Sequence, residues 1–295
     1  MTTVVERAVP PVRRARRGSW SWLGLVPFFL FAFLFIVAPV IYLVGGSFQN
    51  NAGETTLQNY ADLATPTVAT AFLTSIEISL VTAIAGGVFG FLLAYAVILG
   101  GLPRVLRDAL MTFSGVASNF AGVPLALAFI FTVGQLGLLT VWLKTLGIQA
   151  YPPNFIYTKT GLELVYLYFQ FPLMVLIIAP AIDGLRPEWR EAAENMGASS
   201  AQYWRSVALP ILFPTILGTM ILLFGNSFGA QATAYQLTAG TLPIVPVIIG
   251  AQISGDVLHN PGLGYAMAMG MVIVMAVAIT VYTILQRRAE RWRRR

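Results

Sequence analysis

Six long apolar segments dominate this sequence and constrain its fold more than any other feature. Several of them exceed the roughly 18 consecutive apolar residues that indicate a membrane-spanning helix. Apolar residues make up 57% of the chain and charged residues only 10%, whereas soluble domains carry about 25% charged residues. The sequence therefore predicts an all-α polytopic membrane protein with six transmembrane helices.

The apolar segments also set the predicted boundaries along the chain. A basic tail is expected at 1–22, a transmembrane domain at 23–285 and a second basic tail at 286–295. A polar loop at 183–210 interrupts the domain, and a semi-polar stretch at 134–160 is expected to lie partly as an interfacial helix. The six predicted spans are 23–46, 71–99, 111–133, 161–182, 211–235 and 262–285.

The distribution of basic residues gives the orientation. Every arginine falls in one of the two tails, in the loop between spans two and three, or in the loop 183–210. On the opposite side the only basic residues are Lys144 and Lys159. By the positive-inside rule, both termini and the loop 183–210 are cytoplasmic. Because the basic residues flank spans, the net charge of +6 indicates contact with a bilayer and not with nucleic acid.

Several kinds of chemistry have no residues to support them. The sequence contains no cysteine and no Gly-x-x-x-x-Gly-Lys-[Ser/Thr] run that would cradle nucleotide phosphates. It has no His-Glu-x-x-His set, and the single histidine, His259, is expected to be solvated in an outer loop. We therefore predict that the chain is not an enzyme and holds neither a metal ion nor a cofactor of its own.

The sequence pattern of the loop 183–210 predicts two short helices joined by a hinge. Pro187 suits the first turn of a helix, Gly197 is placed to end that helix with a positive φ, and Ser199 or Ser200 can cap the next helix. Neither helix is long enough to be stable alone, so both need a surface to pack against. An apolar stripe with helical spacing comprises Trp189, Ala192, Ala193 and Met196. This stripe can face either the bundle or the ATPase, and our hypothesis is that it faces the bundle.

The same loop resembles the EAA loop of permease subunits from binding-protein-dependent ABC importers. That family pattern is Glu-Ala-Ala, three residues, Gly, nine residues, then Ile-x-Leu-Pro. Here Val207 replaces the usual isoleucine and keeps its branched bulk. The resemblance implies a type I ABC importer permease fold in which residues 187–210 dock on a separate ATPase. The implied coupling residues are Glu191, Ala192, Ala193, Gly197, Val207, Leu209 and Pro210.

The resemblance also implies a set of partners. ATP and Mg²⁺ would be bound by two ATPase subunits and not by this chain. A second permease, expected to be a different homologous chain, would supply the second docking loop, and an extracytoplasmic binding protein would deliver the solute. The location implied is the bacterial cytoplasmic (inner) membrane. Within the loop, we expect Arg190 and Glu191 to point toward the ATPase.

Polar residues inside the spans are the candidates for the solute path, because such residues are costly in lipid and often line a pathway. Glycines in the run 224–231 would allow a broken helix of the kind that forms transporter sites. Hydrogen bonding between helices is the alternative role for each side chain. The candidates are Ser118, Asn119, Gln170, Asn226, Ser227, Gln231 and Thr233.

The segments 232–238 and 261–264 resemble the spermidine/putrescine-type branch of the importer family. This resemblance implies a small solute, with a polyamine as the first expectation and a phosphonate, iron or a sugar as alternatives. A secondary transporter or a channel would have similar spans, but it would transport without ATP and would not need the loop 187–210.

Overall fold

The computed structural model describes residues 24–152, 154–255 and 259–293, so the predicted tail 1–22 lies outside the described residues. Within these ranges the chain is helical and forms no strand, apart from one isolated bridge pair between Gln49 and Thr55. In chain order the helices are α1 Val26–Ser47, α2 Gln58–Asp62, α3 Pro66–Leu99, α4 Arg104–Asn119, α5 Gly122–Val133, α6 Leu138–Thr145, α7 Lys159–Asp183, α8 Pro187–Asn195, α9 Ser200–Phe228, α10 Gln231–Thr238, α11 Val245–Ser254 and α12 Pro261–Arg293.

The six predicted spans are confirmed in number. The described chain contains six segments long and apolar enough to cross a membrane, based on α1, α3, the pair α5–α6, α7, α9 and α12. With six crossings, the start of α1 and the end of α12 lie on the same side as the arginine-bearing loop 183–210, which is the cytoplasmic side. The predicted tail 286–295 continues the sixth helix as far as Arg293.

The third span was predicted as one helix over 111–133, and this prediction is wrong. The chain instead forms α4 and α5, which meet at a break at Phe120 and Ala121. Pro124 explains the break, because in a continuous helix its ring would strike the carbonyl of Phe120. Gly122, with φ of +75°, adopts the left-handed backbone that restarts the chain as α5.

The outer loop predicted after the fifth span is also more ordered than expected. It contains the ten-residue helix α11, which begins beside Pro246 and packs against α12. The apolar sequence of this segment was too short to indicate a span, and its two prolines favoured a loop. Because Val245 and Val247 are buried, tertiary packing explains the helix better than local sequence does.

The core lies where α3, α7 and α9 meet. Gly86 and Gly90 of α3 face α7 so closely that a Cβ atom at Gly86 would lie 2.7 Å from Cβ of Gln170. At Gly90 it would lie 2.5 Å from Cβ of Met174. These glycines therefore act as packing residues that let two helices approach, as the spacing predicts.

The first helix packs against α12 through its outer half, residues 38–47. There, the Tyr265 ring of α12 packs on Gly46, and the Ser47 hydroxyl lies 2.8 Å from that of Tyr60. The Asn59 side chain stabilises the loop that follows α1 by donating to the carbonyls of Ser47 and Gln49, both at 2.9 Å. The inner half of α1, residues 26–37, is almost entirely exposed.

Candidate functional site

The loop between α7 and α9 folds into the predicted helical hairpin. Helix α8 begins at Pro187, and Gly197 follows its end with φ of +80°. The second helix starts with a capping box, in which the Ser199 hydroxyl accepts from the Gln202 amide at 3.3 Å and the Gln202 side chain accepts from the Ser199 amide at 2.7 Å. The hinge and cap predicted from the sequence are therefore present.

The face that α8 presents is not the predicted one. Of the apolar stripe, only Ala193 is buried, packing with Tyr203 and Ala208 of α9. Met196 is 81% exposed, and Trp189 and Ala192 also face outward. The expectation that the whole stripe faces the bundle is wrong, because the short second helix covers only the strip around one small side chain. An apolar surface is left uncovered on the cytoplasmic hairpin.

The charges on α8 are only partly satisfied. Arg190 donates to Glu194 one turn later, at 2.9 Å, and this hydrogen bond raises the pKa of the guanidinium. Exposed Glu191 has no ion-pair partner among the described residues. Met196 and Glu191 are therefore both accessible to a partner.

The second half of the motif joins the hairpin to the bundle. Val207 packs in the hairpin cluster with Ala208, whereas Leu209 is 40% exposed and Pro210 is exposed. A π-helical turn at 204–208 carries Trp204, whose ring packs edge-on against Tyr95 of α3 with centroids 4.9 Å apart. Only its aromatic character within a polar loop could have indicated this contact in the sequence.

The fifth span is broken as the glycines in 224–231 allow, between Phe228 and Gln231. This break adjoins the one between α4 and α5. The Gly122 amide donates to the Thr233 hydroxyl at 2.8 Å, and that hydroxyl also lies 3.3 Å from the Gly122 carbonyl. The Tyr166 hydroxyl donates to the Ala230 carbonyl at 2.6 Å. Two interrupted spans thus meet at one level of the bundle.

The predicted path residues separate into an exposed and a buried group around these breaks. Asn119, Asn226 and Gln231 are exposed, and Ser118 is half-buried. Gln170, Ser227 and Thr233 are buried. This division separates the side chains at the surface of the chain from those inside its helical bundle.

Each buried member has a partner inside the bundle. Gln170 donates to the Leu223 carbonyl at 2.9 Å, and the Ser227 hydroxyl lies 2.9 Å from that of Thr82. Hydrogen bonding between helices, the alternative role considered for these residues, is what the structure shows for them. In the described ranges, no cluster of three or more His, Asp or Glu side chains is arranged to hold a metal ion.

Comparison with solved structures agrees with this architecture. The permease fold of a bacterial ABC transporter that imports the acidic polysaccharide alginate superposes with a TM-score of 0.71, at 18% sequence identity. The match covers 90% of this chain and 94% of that one. At this identity the likeness establishes a shared fold.

Comparison of sequences finds relatives among the permease proteins of transport systems. The sulfate transport system permease protein CysT of Escherichia coli K12 is 31% identical over 208 residues, which cover 70% of this chain and 71% of the relative. The spermidine/putrescine permease PotB of the same species is 24% identical over 258 residues, with 84% and 91% coverage.

Residues 86–295 match the family described as "Binding-protein-dependent transport system inner membrane component". This range includes the whole cytoplasmic hairpin and both helix breaks. The chain therefore belongs to this family, as a permease subunit of a type I ABC importer.

Proposed function

We propose that this chain forms one half of the solute path of a bacterial inner-membrane importer and receives an ATPase subunit on the hairpin 187–210. The observation that carries the proposal is the uncovered apolar surface formed by Trp189 and Ala192 of α8 and by Met196, which caps the helix and is 81% exposed. Exposed Glu191 of the same helix has no ion-pair partner among the described residues. An apolar surface rimmed by polar residues is typical of a protein interaction site. We assign Met196 and Ala192 to the apolar part of that contact and Glu191 to its charged part.

The remaining subunits follow from the single hairpin. One chain offers one docking element, so a pair of ATPases requires a second permease, which we expect to be a homologous different chain. ATP and Mg²⁺ belong to the ATPase pair in this arrangement, and an extracytoplasmic binding protein delivers the solute. The relatives named as permeases of sulfate and polyamine systems support this assembly.

Substituting Met196 tests the docking. Burial of a methionine side chain stabilises by about 1.5–3 kcal/mol, so Met196→Asp should weaken capture of the ATPase about tenfold or more. Met196→Leu keeps the apolar volume and should retain capture. The measurement is co-purification of the ATPase with the tagged chain, at equal membrane insertion. Undiminished capture by Met196→Asp would refute this assignment of the contact.

For the solute, we favour a small oxyanion of the sulfate type over the polyamine expected from the sequence. Helices α5 and α10 both start at the joined breaks, and the amino end of a helix carries partial positive charge. The exposed members of the predicted path set near these breaks are the neutral amides of Asn119, Asn226 and Gln231. The 31% identical sulfate permease supports the same choice.

The acidic residues near the outer side give a polyamine less support. Glu77 of α3 is paired with Lys159, and its side chain is 59% exposed. Glu163 of α7 is only half-buried. Neither is therefore a fully buried carboxylate of the kind that would select a cation inside the membrane.

Uptake by membrane vesicles carrying the assembled transporter distinguishes the two solutes. Labelled sulfate should accumulate with ATP, and excess spermidine should not compete. Accumulation of spermidine that sulfate leaves unaffected would overturn the oxyanion assignment, and the docking of the ATPase would stand on its own test.

A further inference from the structure

An ion pair joins α4 to the start of the cytoplasmic loop 183–210. Arg107, in the first turn of α4, contacts the carboxylate of Asp183, the last residue of α7. Both side chains are partly exposed, at 34% and 46%. The pair spans 76 residues of sequence and lies where the chain leaves the membrane for the loop 183–210.

Each of the two charges occupies an unfavourable position in its own helix. An acidic side chain at the carboxyl end of a helix and a basic one at the amino end both oppose the helix dipole. Helix α7 has no basic residue in its last turn, and α4 has no acidic residue in its first turn. Interactions within each helix therefore do not explain why either charge is present. The contact between the two side chains compensates the unfavourable interaction of each with its helix dipole.

Arg104 provides a comparison on the same helix. It is also basic and stands at the first position of α4, yet it has no ion-pair partner among the described residues. The positive-inside rule accounts for Arg104. It does not account for the acidic residue at position 183.

The helices that leave this region converge again at the breaks. Helix α4 has 16 residues, or about 24 Å, and ends beside the break where Gly122 bonds Thr233. Helix α9 has 29 residues, or about 43 Å; it begins in the hairpin and ends at the adjoining break. Two helices therefore connect the hairpin region to the same pair of breaks.

Only one of the two helices is covalently continuous with the hairpin. Helix α9 continues from it, whereas α4 meets the hairpin side by packing on α7 and through the contact of Arg107 with Asp183. We propose that the contact between Arg107 and Asp183 is a transmission link, which makes α4 follow the hairpin so that both breaks move together when the ATPases close. Arg107 and Asp183 are positioning residues in this role, which rests on the proposed docking of the ATPase.

Charge reversal in the assembled transporter tests the link. Arg107→Glu and Asp183→Arg should each reduce the stimulation of ATP hydrolysis by the sulfate-loaded binding protein, up to about fivefold for a partly exposed pair. Basal hydrolysis and ATPase co-purification should be unchanged. The double variant should restore stimulation, and Arg104→Glu should have no effect.

A distance measurement gives a readout that loss of stability alone would not reproduce. Because the sequence has no cysteine, spin labels can be placed at Ala109→Cys of α4 and Ala201→Cys of α9, both exposed. Their distance should remain narrowly distributed with and without MgATP, broaden with MgATP in Arg107→Glu, and narrow again in the double variant.

The outcomes separate the link from the docking. Full stimulation in both single variants, or no recovery in the double variant, would overturn the link and leave the docking intact. If no ATPase co-purifies with the unmodified chain, the proposed docking fails and the link fails with it.

Discussion

The hydrogen bond between Thr233 and Gly122 directly joins the two broken spans, and replacing Thr233 by valine isolates its contribution. Valine keeps the shape of threonine but neither accepts nor donates, so the Gly122 amide at the start of α5 would lose its partner at 2.8 Å. Thr233 is 2% exposed, so water does not readily replace the hydroxyl. Leaving a buried amide without a hydrogen-bond partner lowers the free energy of unfolding by about 1–3 kcal/mol.

Thr238 of the same helix offers a matched control. It is also buried, at 3% exposure, but its hydroxyl donates to the Ala234 carbonyl one turn earlier, at 2.8 Å. That carbonyl is also the helical acceptor of the Thr238 amide, so Thr238→Val leaves no backbone group without a hydrogen-bond partner. We expect it to cost less than about 1 kcal/mol.

Thermal unfolding of the chain in lipid nanodiscs, followed by circular dichroism, measures the difference. At about 2–3 °C per kcal/mol for a chain of this size, Thr233→Val should lower Tm by about 2–9 °C and Thr238→Val by about 3 °C or less. Equal shifts for the two variants would refute the view that this hydroxyl joins the breaks, since both lose a buried threonine hydroxyl.

Three further substitutions test the packing, the hinge and the path. Gly90→Ala should destabilise the chain by about 1–3 kcal/mol in the same unfolding assay, whereas Gly115→Ala, where a Cβ meets nothing within 4 Å, should be neutral or stabilising by up to about 1 kcal/mol. Gly197→Ala places a side chain at φ +80° and should cost about 1–2 kcal/mol, visible as weaker ATPase capture. Gln170→Leu should leave uptake within about twofold and the free energy of unfolding within about 1 kcal/mol. The reason is that it removes a hydrogen bond together with a buried oxygen that has no partner. Abolished uptake in a stable variant would show that Gln170 contacts the solute.

The features that the sequence predicted well depend on local or one-dimensional rules. Hydropathy determines the number of spans because every crossing needs a run of apolar residues. The asymmetry of arginine determines the orientation. Gly197 and Ser199 could be assigned because a left-handed hinge and a helix cap each require particular residues within a few positions.

The features that the sequence did not predict depend on contacts between distant segments. The break at Phe120 follows from Pro124 by local sterics, but its meeting with the second break depends on Thr233, more than a hundred residues away. The outward face of Met196 depends on how the hairpin folds back, so that Tyr203 covers Ala193 alone. Helical periodicity can group apolar residues on a face, but it does not specify which surface covers them.

The attachment of α1 at its outer end has a consequence for how the protein responds to its bilayer. A helix held at one end can pivot there, and a long apolar segment adjusts to the hydrocarbon thickness by changing its tilt. Packing of residues 38–47 on α12 holds the outer half of the helix, while the segment 26–37 is almost entirely exposed. The inner half of the first helix is therefore the part that can adjust to the lipids and subunits around it, so acyl-chain length is a variable that belongs in any comparison of transport rates.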